Sequence, residues 1–413
     1  MGWEMRTPAG TWRANWRDPS GRQRSKTFAT RRAAREHVAA MESAKSQGGY
    51  VDPAAGKRRF GPYARAWLTG QSHESTTLAR DRSILEHHII ERWGRWPIGA
   101  VTFSGLQSWT TELGRSLAPA TVAQCHRITR AVLAAAVRDR LITHNPADGI
   151  KLPRARKRDI DFRVISREDL LTKLLPAVPE RYRILPSLAA GAGLRWGECL
   201  GLQWRSVNLD SETLDVGRVL VEVAGRVTEK PYPKTAAGRR TVPLAPFLSC
   251  LLRDLAKSAD PAPSDPVAVG PAGGNLLRGN FRRRIWIPAL VDAGLLPGLS
   301  LATEDGQLVA TWPDEAGRPC RRAYRTRRAA YSALGTHLPP GALRFHDLRH
   351  SYATWLVSAG VPINDIAAIL GHAKPTTTLS IYVHRSDDRF QRVREALADF
   401  SLTFDDDEGD EGE

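Results

Sequence analysis

Apolar and polar residues alternate along Thr11-Trp12-Arg13-Ala14-Asn15-Trp16-Arg17, the two-residue period of a half-buried strand. The run Asp18-Pro19-Ser20-Gly21 has the composition of a turn. Arg22-Gln23-Arg24-Ser25-Lys26-Thr27-Phe28 then returns as a second strand, with Arg22, Arg24 and Lys26 on one face. From about residue 31 to residue 45 the pattern becomes helical. Between 61 and 153 it stays helical, over 63–69, 76–90, 104–114 and 121–141. The last of these stretches keeps Val122, Cys125, Ile128, Val132 and Ala135 on one stripe, and Asn145-Pro146 stops it.

Ser166-Arg167-Glu168-Asp169 resembles a capping box and opens a third segment, helical to about residue 202. Short alternating stretches follow at 212–223, 225–228 and 240–244, and helical patterns resume from Phe247. Residues 297–340, rich in Gly, Pro and charge, show little periodicity. The order of patterns predicts an α+β multidomain chain. It comprises a small β-ribbon plus helix (1–58), an all-α four-helix module (61–153), a basic linker (154–165), and a mainly α segment with a small antiparallel sheet (166–400). Residues 401–413 are expected to be a disordered acidic tail.

Composition narrows the partners. The 413 residues carry a formal net charge of +16 and a pI near 10.2, which point to a polyanion. Residues 1–60 hold 13 lysines and arginines against five acids, whereas seven of the last nine residues are acidic. A membrane surface is the competing polyanion, but no basic amphipathic helix with a large apolar face stands out. No apolar run reaches the length of a membrane span, and the N-terminus lacks the apolar stretch of a signal peptide. Cys125, Cys199, Cys250 and Cys320 form no CxxC pair. The expectation is a cytoplasmic DNA-binding protein without a metal site. His87 and His88 are read as helix-surface residues with no ligand partners at useful spacing.

The candidate chemistry lies near the C-terminus. His346, Arg349 and His350 stand at i, i+3 and i+4, so a helix projects them from one side. Nearby Leu343, Phe345, Leu348, Tyr352, Trp355 and Leu356 can bury the rest of that helix. A second helix over 363–370 closes at Gly371, a left-handed cap, and leaves His372 just beyond its end. Tyr382 follows ten residues later. Far upstream, Gly193-Leu194-Arg195-Trp196-Gly197-Glu198 offers another arginine in an apolar setting. Guanidinium forks match phosphate oxygens, histidine moves protons near neutral pH, and tyrosine can act as a covalent nucleophile. Satisfied core networks or surface ion pairs, such as Arg195 with Glu198, are the structural alternatives.

The run 342–384 resembles the C-terminal signature of the tyrosine recombinases, the phage-integrase family: His-x-x-Arg-His, then Gly-His, then a tyrosine about ten residues on. Gly193–Glu198 resembles the family segment carrying the first catalytic arginine. Pro233-Lys234-Thr235 with Arg239-Arg240-Thr241-Val242-Pro243-Leu244 resembles the β-hairpin carrying the catalytic lysine. The basic ribbon and the four-helix module resemble the arm-binding domain and the SAM-like core-binding domain of such integrases. The resemblance implies a catalytic set of Arg195, Lys234, His346, Arg349, His372 and Tyr382. Tyr382 would attack the scissile phosphate and form a 3′-phosphotyrosyl bond, with no cofactor or metal. Arg195 and Arg349 would clamp the non-bridging oxygens, and Lys234 would protonate the departing 5′ oxygen. Lys230 remains the alternative to Lys234. His346 would assist proton transfer with Tyr382, and His372 would hydrogen-bond the phosphate. Glu198 is left as a supporting residue.

Arg13, Arg17, Arg22, Arg24 and Lys26 are the expected DNA contacts of the N-terminal ribbon. The implied partners are double-stranded attachment-site DNA, three further copies in a homo-tetramer, and accessory DNA-bending or excision factors. The implied function is integration or excision of a prophage or mobile element. A chemically silent DNA-binding regulator and a type IB topoisomerase are the rival functions. Two segments stay open. Residues 297–340 are longer than the family's usual connection there, and are either a solvated insertion or a spacer with a basic helix over 321–334 that touches DNA. Residues 386–400 read as an amphipathic helix that packs on its own domain or on a neighbouring protomer.

Overall fold

The computed structural model describes residues 2–47, 49–52, 54–153, 162–230, 238–271, 273–372 and 376. The chain divides into two compact units, Met1–Arg158 and Asp159–Glu413. In the first, β1 (Trp3–Arg6), β2 (Trp12–Arg17) and β3 (Gln23–Phe28) form an antiparallel sheet in that order. The sheet thus has one strand more than the alternation predicted. Thr30 caps α1 (Arg31–Ser46) by accepting from the Ala33 amide, which satisfies one of the four amides a helix start leaves open. Ala34 and Val38 of α1 pack on Ala14, Trp12 and Phe28.

The helical part of this unit contains α2 (Phe60–Thr69), α3 (Ser75–Ile84), α4 (Phe103–Ser116) and α5 (Pro119–Arg138). Pro119 stands in the first turn of α5, where its missing N–H has no helical partner to lose. The predicted stripe of α5 is the buried one: Val122, Cys125, Ile128, Val132 and Ala135 all face inward. Around it lie Phe60, Leu85, Ile89, Trp93, Leu106 and Trp109. The buried Asp81 carboxylate takes both its oxygens to Arg127, at 2.7 and 2.8 Å, as a buried charge requires. This cluster shares no residue with the one beneath the ribbon.

The second unit is organised on α6 (Ile184–Gly191), all eight residues of which are buried. After α7 (Trp196–Gly201) come β4 (Val207–Asn208), β5 (Thr213–Val216), the hairpin of β6 (Val219–Val223) and β7 (Arg226–Lys230), and β8 (Arg240–Pro243). Strands β4, β5 and β8 make one sheet and β6 with β7 another. Helix α8 (Pro246–Ala259) and a helical stretch over 278–292 follow. Phe162 and Ile165, from the end of the expected linker, are buried in this unit, and the Ile165 amide donates to Ser351 Oγ at 3.1 Å.

Residues 297–340 depart from expectation. They hold β9 (Ser300–Glu304), β10 (Gln307–Pro313) and β11 (Pro319–Tyr324), an antiparallel sheet with β10 in the middle, and α9 (Arg327–Leu334). Arg321 and Arg322, which one of the two readings put on a helix, lie in β11. Only Ala310 of the three strands is fully buried, so there was no apolar alternation to read. Helices α10 (Phe345–Ser358) and α11 (Ile363–Leu370) complete the described unit. Among the described residues no helix is long and apolar enough to cross a membrane.

Candidate active site

Four of the six expected catalytic residues lie among the described ones, and they gather at the C-terminal end of α11. That end is built by local sequence. Gly371 closes the helix in the left-handed conformation at φ 63°, and the His372 amide returns to Ala367 O at 3.0 Å. A helix C-terminus leaves carbonyls without intrahelical partners and carries partial negative charge. Three arginines from three other elements take three consecutive carbonyls here. Arg240 Nε donates to Ile369 O at 2.5 Å, Arg349 Nη2 donates to Leu370 O, and Arg195 Nη2 donates to Gly371 O at 3.3 Å.

One carboxylate ties these guanidiniums together. Glu198 sits one turn into α7 and receives the Arg195 amide at 2.9 Å and Arg195 Nη1 at 2.8 Å. Arg240 Nη2 donates at 2.9 Å to Oε2, the oxygen that also accepts the Arg195 amide, and Arg349 Nη1 stands 3.9 Å away. Burial favours the neutral acid, but the hydrogen bonds and charge of Arg240, then the charge and amide of Arg195, win. They hold the Glu198 carboxyl at about 2, so it is ionised at neutral pH. Arg195 itself keeps 39% of its side chain exposed. Arg349 is 2% exposed and is also pinned to Gly193 O at 2.5 Å.

Aromatic packing holds the two halves of the cluster side by side. Trp196 follows Arg195 and Phe345 precedes His346, and their rings meet edge-on at 5.1 Å and 89°. Phe281 and Trp286 close around the pair. His346 lies in the first turn of α10, where Asp347 accepts from the Arg344 amide at 2.7 Å. Partial burial, then the Arg349 and Arg195 charges, lower the His346 value to about 4. The imidazole is therefore neutral at pH 7. His372 is lowered to about 4 by burial, Arg349 and Arg195. Arg349 Nη2 lies 3.3 Å from His372 Nε2. An arginine can only donate, so Nε2 accepts and the ring carries its hydrogen on Nδ1. His350 stacks on Phe162 with centroids 4.4 Å apart and meets the His346 ring edge-on at 4.9 Å.

Lys234 and Tyr382 lie outside the described residues, as does the segment 386–400. Lys230, the alternative to Lys234, ends β7 opposite Val219. In the ribbon the five expected basic contacts do not share a surface. Paired residues of neighbouring strands face the same way, so Lys26 and Arg24 stand on the side of Ala14 and Trp16, and Arg13 and Arg17 on the other. Arg24 is also engaged by Asp18 at 3.1 Å and Asp52 at 2.7 Å. Arg22 lies in the turn, where its amide donates to Asp18.

Sequence reasoning gave Arg240 no role. The signal was present: Arg240 and Val242 alternate along β8 on one face, and Val242 is fully buried. An arginine at an inward strand position needs a buried acid.

A family model described as phage integrase family matches residues 313–389. A putative prophage phiRv2 integrase of Mycobacterium tuberculosis is 26% identical over 342 residues, 82% of this chain and 78% of that protein. The chain thus resembles the phage-integrase family of tyrosine recombinases. Two solved structures share its fold. The Tn1549 transposon integrase, in complex with a circular intermediate DNA, has a TM-score of 0.57 at 19% identity, covering 82% of this chain and 99% of that one. A lambda integrase tetramer bound to a Holliday junction has a TM-score of 0.50 at 15% identity, covering 92% and 94%.

Proposed function

We propose that the chain integrates or excises a prophage or mobile element by site-specific DNA recombination, through a 3′-phosphotyrosyl intermediate on Tyr382. The observation that carries this reading is the gathering of Arg195, Arg349, His346 and His372 at one helix end. A phosphodiester placed there meets two guanidiniums already fixed by protein carbonyls. Such preorganised donors need no rearrangement as charge develops in the transition state.

The roles follow from the side chains. Arg195, with its exposed edge, and Arg349 behind it stabilise the non-bridging oxygens. Neutral His346 can accept the phenolic proton as Tyr382 attacks, since a base must be unprotonated at working pH. His372 presents its Nδ1–H as a donor. The phenolic oxygen forms a bond to phosphorus as the bond to the 5′ oxygen breaks, and Lys234 delivers a proton to that leaving oxygen. Attack by a 5′-hydroxyl of another strand reverses the steps and exchanges strands. Residues 1–58 would bind arm-type sites, with Arg13, Arg17, Arg22 and Lys26 among their exposed cations. Residues 61–153 would clasp the core site. Assembly as a homo-tetramer on paired sites is part of the proposal, in keeping with the lambda integrase tetramer. Accessory DNA-bending or excision factors would reveal themselves by stimulating the reaction in vitro.

The test is to express the chain in cells, recover DNA covalently attached to it under denaturing conditions, and sequence that DNA. A single recurring core sequence is expected. Adducts scattered over unrelated sequences would indicate a relaxing enzyme of topoisomerase type. Specific DNA binding with no adduct would indicate a regulator.

A further inference from the structure

Arg240 lies deeper than the arginines expected to meet the phosphate. Its side chain is 6% exposed. Besides Ile369 O and Glu198 Oε2, it donates to Glu198 Oε1 at 3.2 Å and to Gly238 O at 3.3 Å. A charge so enclosed persists only when paired and hydrogen-bonded, and its partner is the carboxylate that also holds Arg195. We propose that Arg240 is a positioning residue for strand cleavage: it neutralises Glu198, leaving the charge of Arg195 and Arg349 for the scissile phosphate, and anchors the helix end that presents His372. This rests on the recombinase reading above.

The balance of charge gives the idea its force. Three guanidiniums around one carboxylate leave two positive charges at the site. The pentacoordinate transition state places a matching pair of negative charges on its non-bridging oxygens, where fixed positive charge counts most. Without Arg240, Glu198 falls back on Arg195 at 2.8 Å and Arg349 at 3.9 Å, and the net drops to one. Glu198→Gln in that background restores two. A residue that only supported the fold would behave differently: removing a second buried partner would add damage.

The test compares wild type, Arg240→Met, Arg240→Lys and the double variant Arg240→Met/Glu198→Gln. Each is mixed in excess with a nicked duplex carrying the core sequence, and covalent adduct is followed in a single turnover. The scissile position is either an ordinary phosphodiester or a methylphosphonate, which lacks one negative charge. On the phosphodiester, Arg240→Met should slow the reaction about 10²-fold, the scale of losing one preorganised electrostatic group. On the methylphosphonate its loss should shrink to below about tenfold, because less charge needs balancing. The double variant should regain at least about tenfold on the phosphodiester, and Arg240→Lys should fall between wild type and Arg240→Met. Equal losses on the two substrates, or a double variant no faster than Arg240→Met, would overturn the proposal. Should Arg240→Met fail to fold, the double variant decides: a rate within about tenfold of wild type supports the proposal and a loss beyond about 10²-fold defeats it. A wild-type chain that forms no adduct on the phosphodiester is a separate result, which refutes the recombinase reading itself.

Discussion

Replacing Arg349 by alanine should damage both fold and chemistry, whereas the same change at Arg195 should damage chemistry alone. The difference lies in what each guanidinium leaves behind. Arg349 is 2% exposed, and its loss strands the carbonyls of Gly193 and Leu370, both buried. An unsatisfied buried acceptor costs about 1–3 kcal/mol, so the pair costs about 2–6 kcal/mol. For a domain of this size each kcal/mol moves the melting point by about 2–4 °C, so a drop of about 5–20 °C is expected. Arg195 is 39% exposed, and Glu198 retains Arg240 when it is gone. A partly exposed pair of this kind contributes about 0–1 kcal/mol, so melting should fall by no more than about 4 °C. Cleavage should fall about 10²–10³-fold in both variants, since each loses a donor aimed at the developing charge. Melting is followed by circular dichroism, and cleavage by single-turnover adduct formation well below the variant's midpoint. Binding of the nicked duplex, measured by fluorescence anisotropy, separates lost affinity from lost chemistry. An Arg195→Ala variant melting as low as Arg349→Ala, or either variant cleaving at a near-normal rate, would refute the reasoning.

Three further outcomes are expected. Gly193 adopts φ +63°, and an added Cβ would stand 2.7 Å from the Tyr352 ring. Gly193→Ala should therefore cost about 1–3 kcal/mol through backbone strain and slow cleavage by displacing Arg195; wild-type melting and rate in that variant would contradict it. His350 is held at about 4 by burial first and then by His346. Its folded value lies below the ordinary 6.5, so the unfolded chain takes up the proton first. That stability is complete above about 6.5 and is lost as pH falls toward 4. His350→Phe, which keeps a ring on Phe162, should flatten the decline in melting temperature between pH 6.5 and 5, and an unchanged decline would count against it. Deleting residues 1–58 removes no member of the helical core. It should spare cleavage at core sites and reduce the salt dependence of binding to full-length sites by about 0.9 for each phosphate no longer neutralised. An identical salt slope would argue against an arm-binding role.

Periodicity was informative where one face of an element is buried. The stripe of α5 and the Gly371 cap of α11 follow from spacing and a single glycine. Periodicity failed at β9, β10 and β11, whose side chains are mostly exposed and so carry no alternation. The signal there was the Asp305-Gly306 turn, both residues at positive φ, as a tight hairpin requires. At the site, spacing placed His346 and Arg349 on one helix but could not show that His350 packs against both Phe162 and the His346 ring. Nor could it show that Arg195, Arg240 and Arg349 cap one helix end around Glu198. Those hydrogen bonds join residues up to 176 positions apart, and no local pattern encodes them. Arg24 and Lys26 do share the expected face, but Arg22 lies in the turn before the strand, and Asp18 and Asp52 engage Arg24.

The central claim is that this cluster serves one phenolic nucleophile acting on one phosphate. The direct measurement is peptide mapping of the covalent adduct by mass spectrometry after nuclease and protease digestion. The account predicts nucleotide attached through phosphate to Tyr382 and no adduct in Tyr382→Phe. Nucleotide on any other residue, or an adduct that survives Tyr382→Phe, would contradict it.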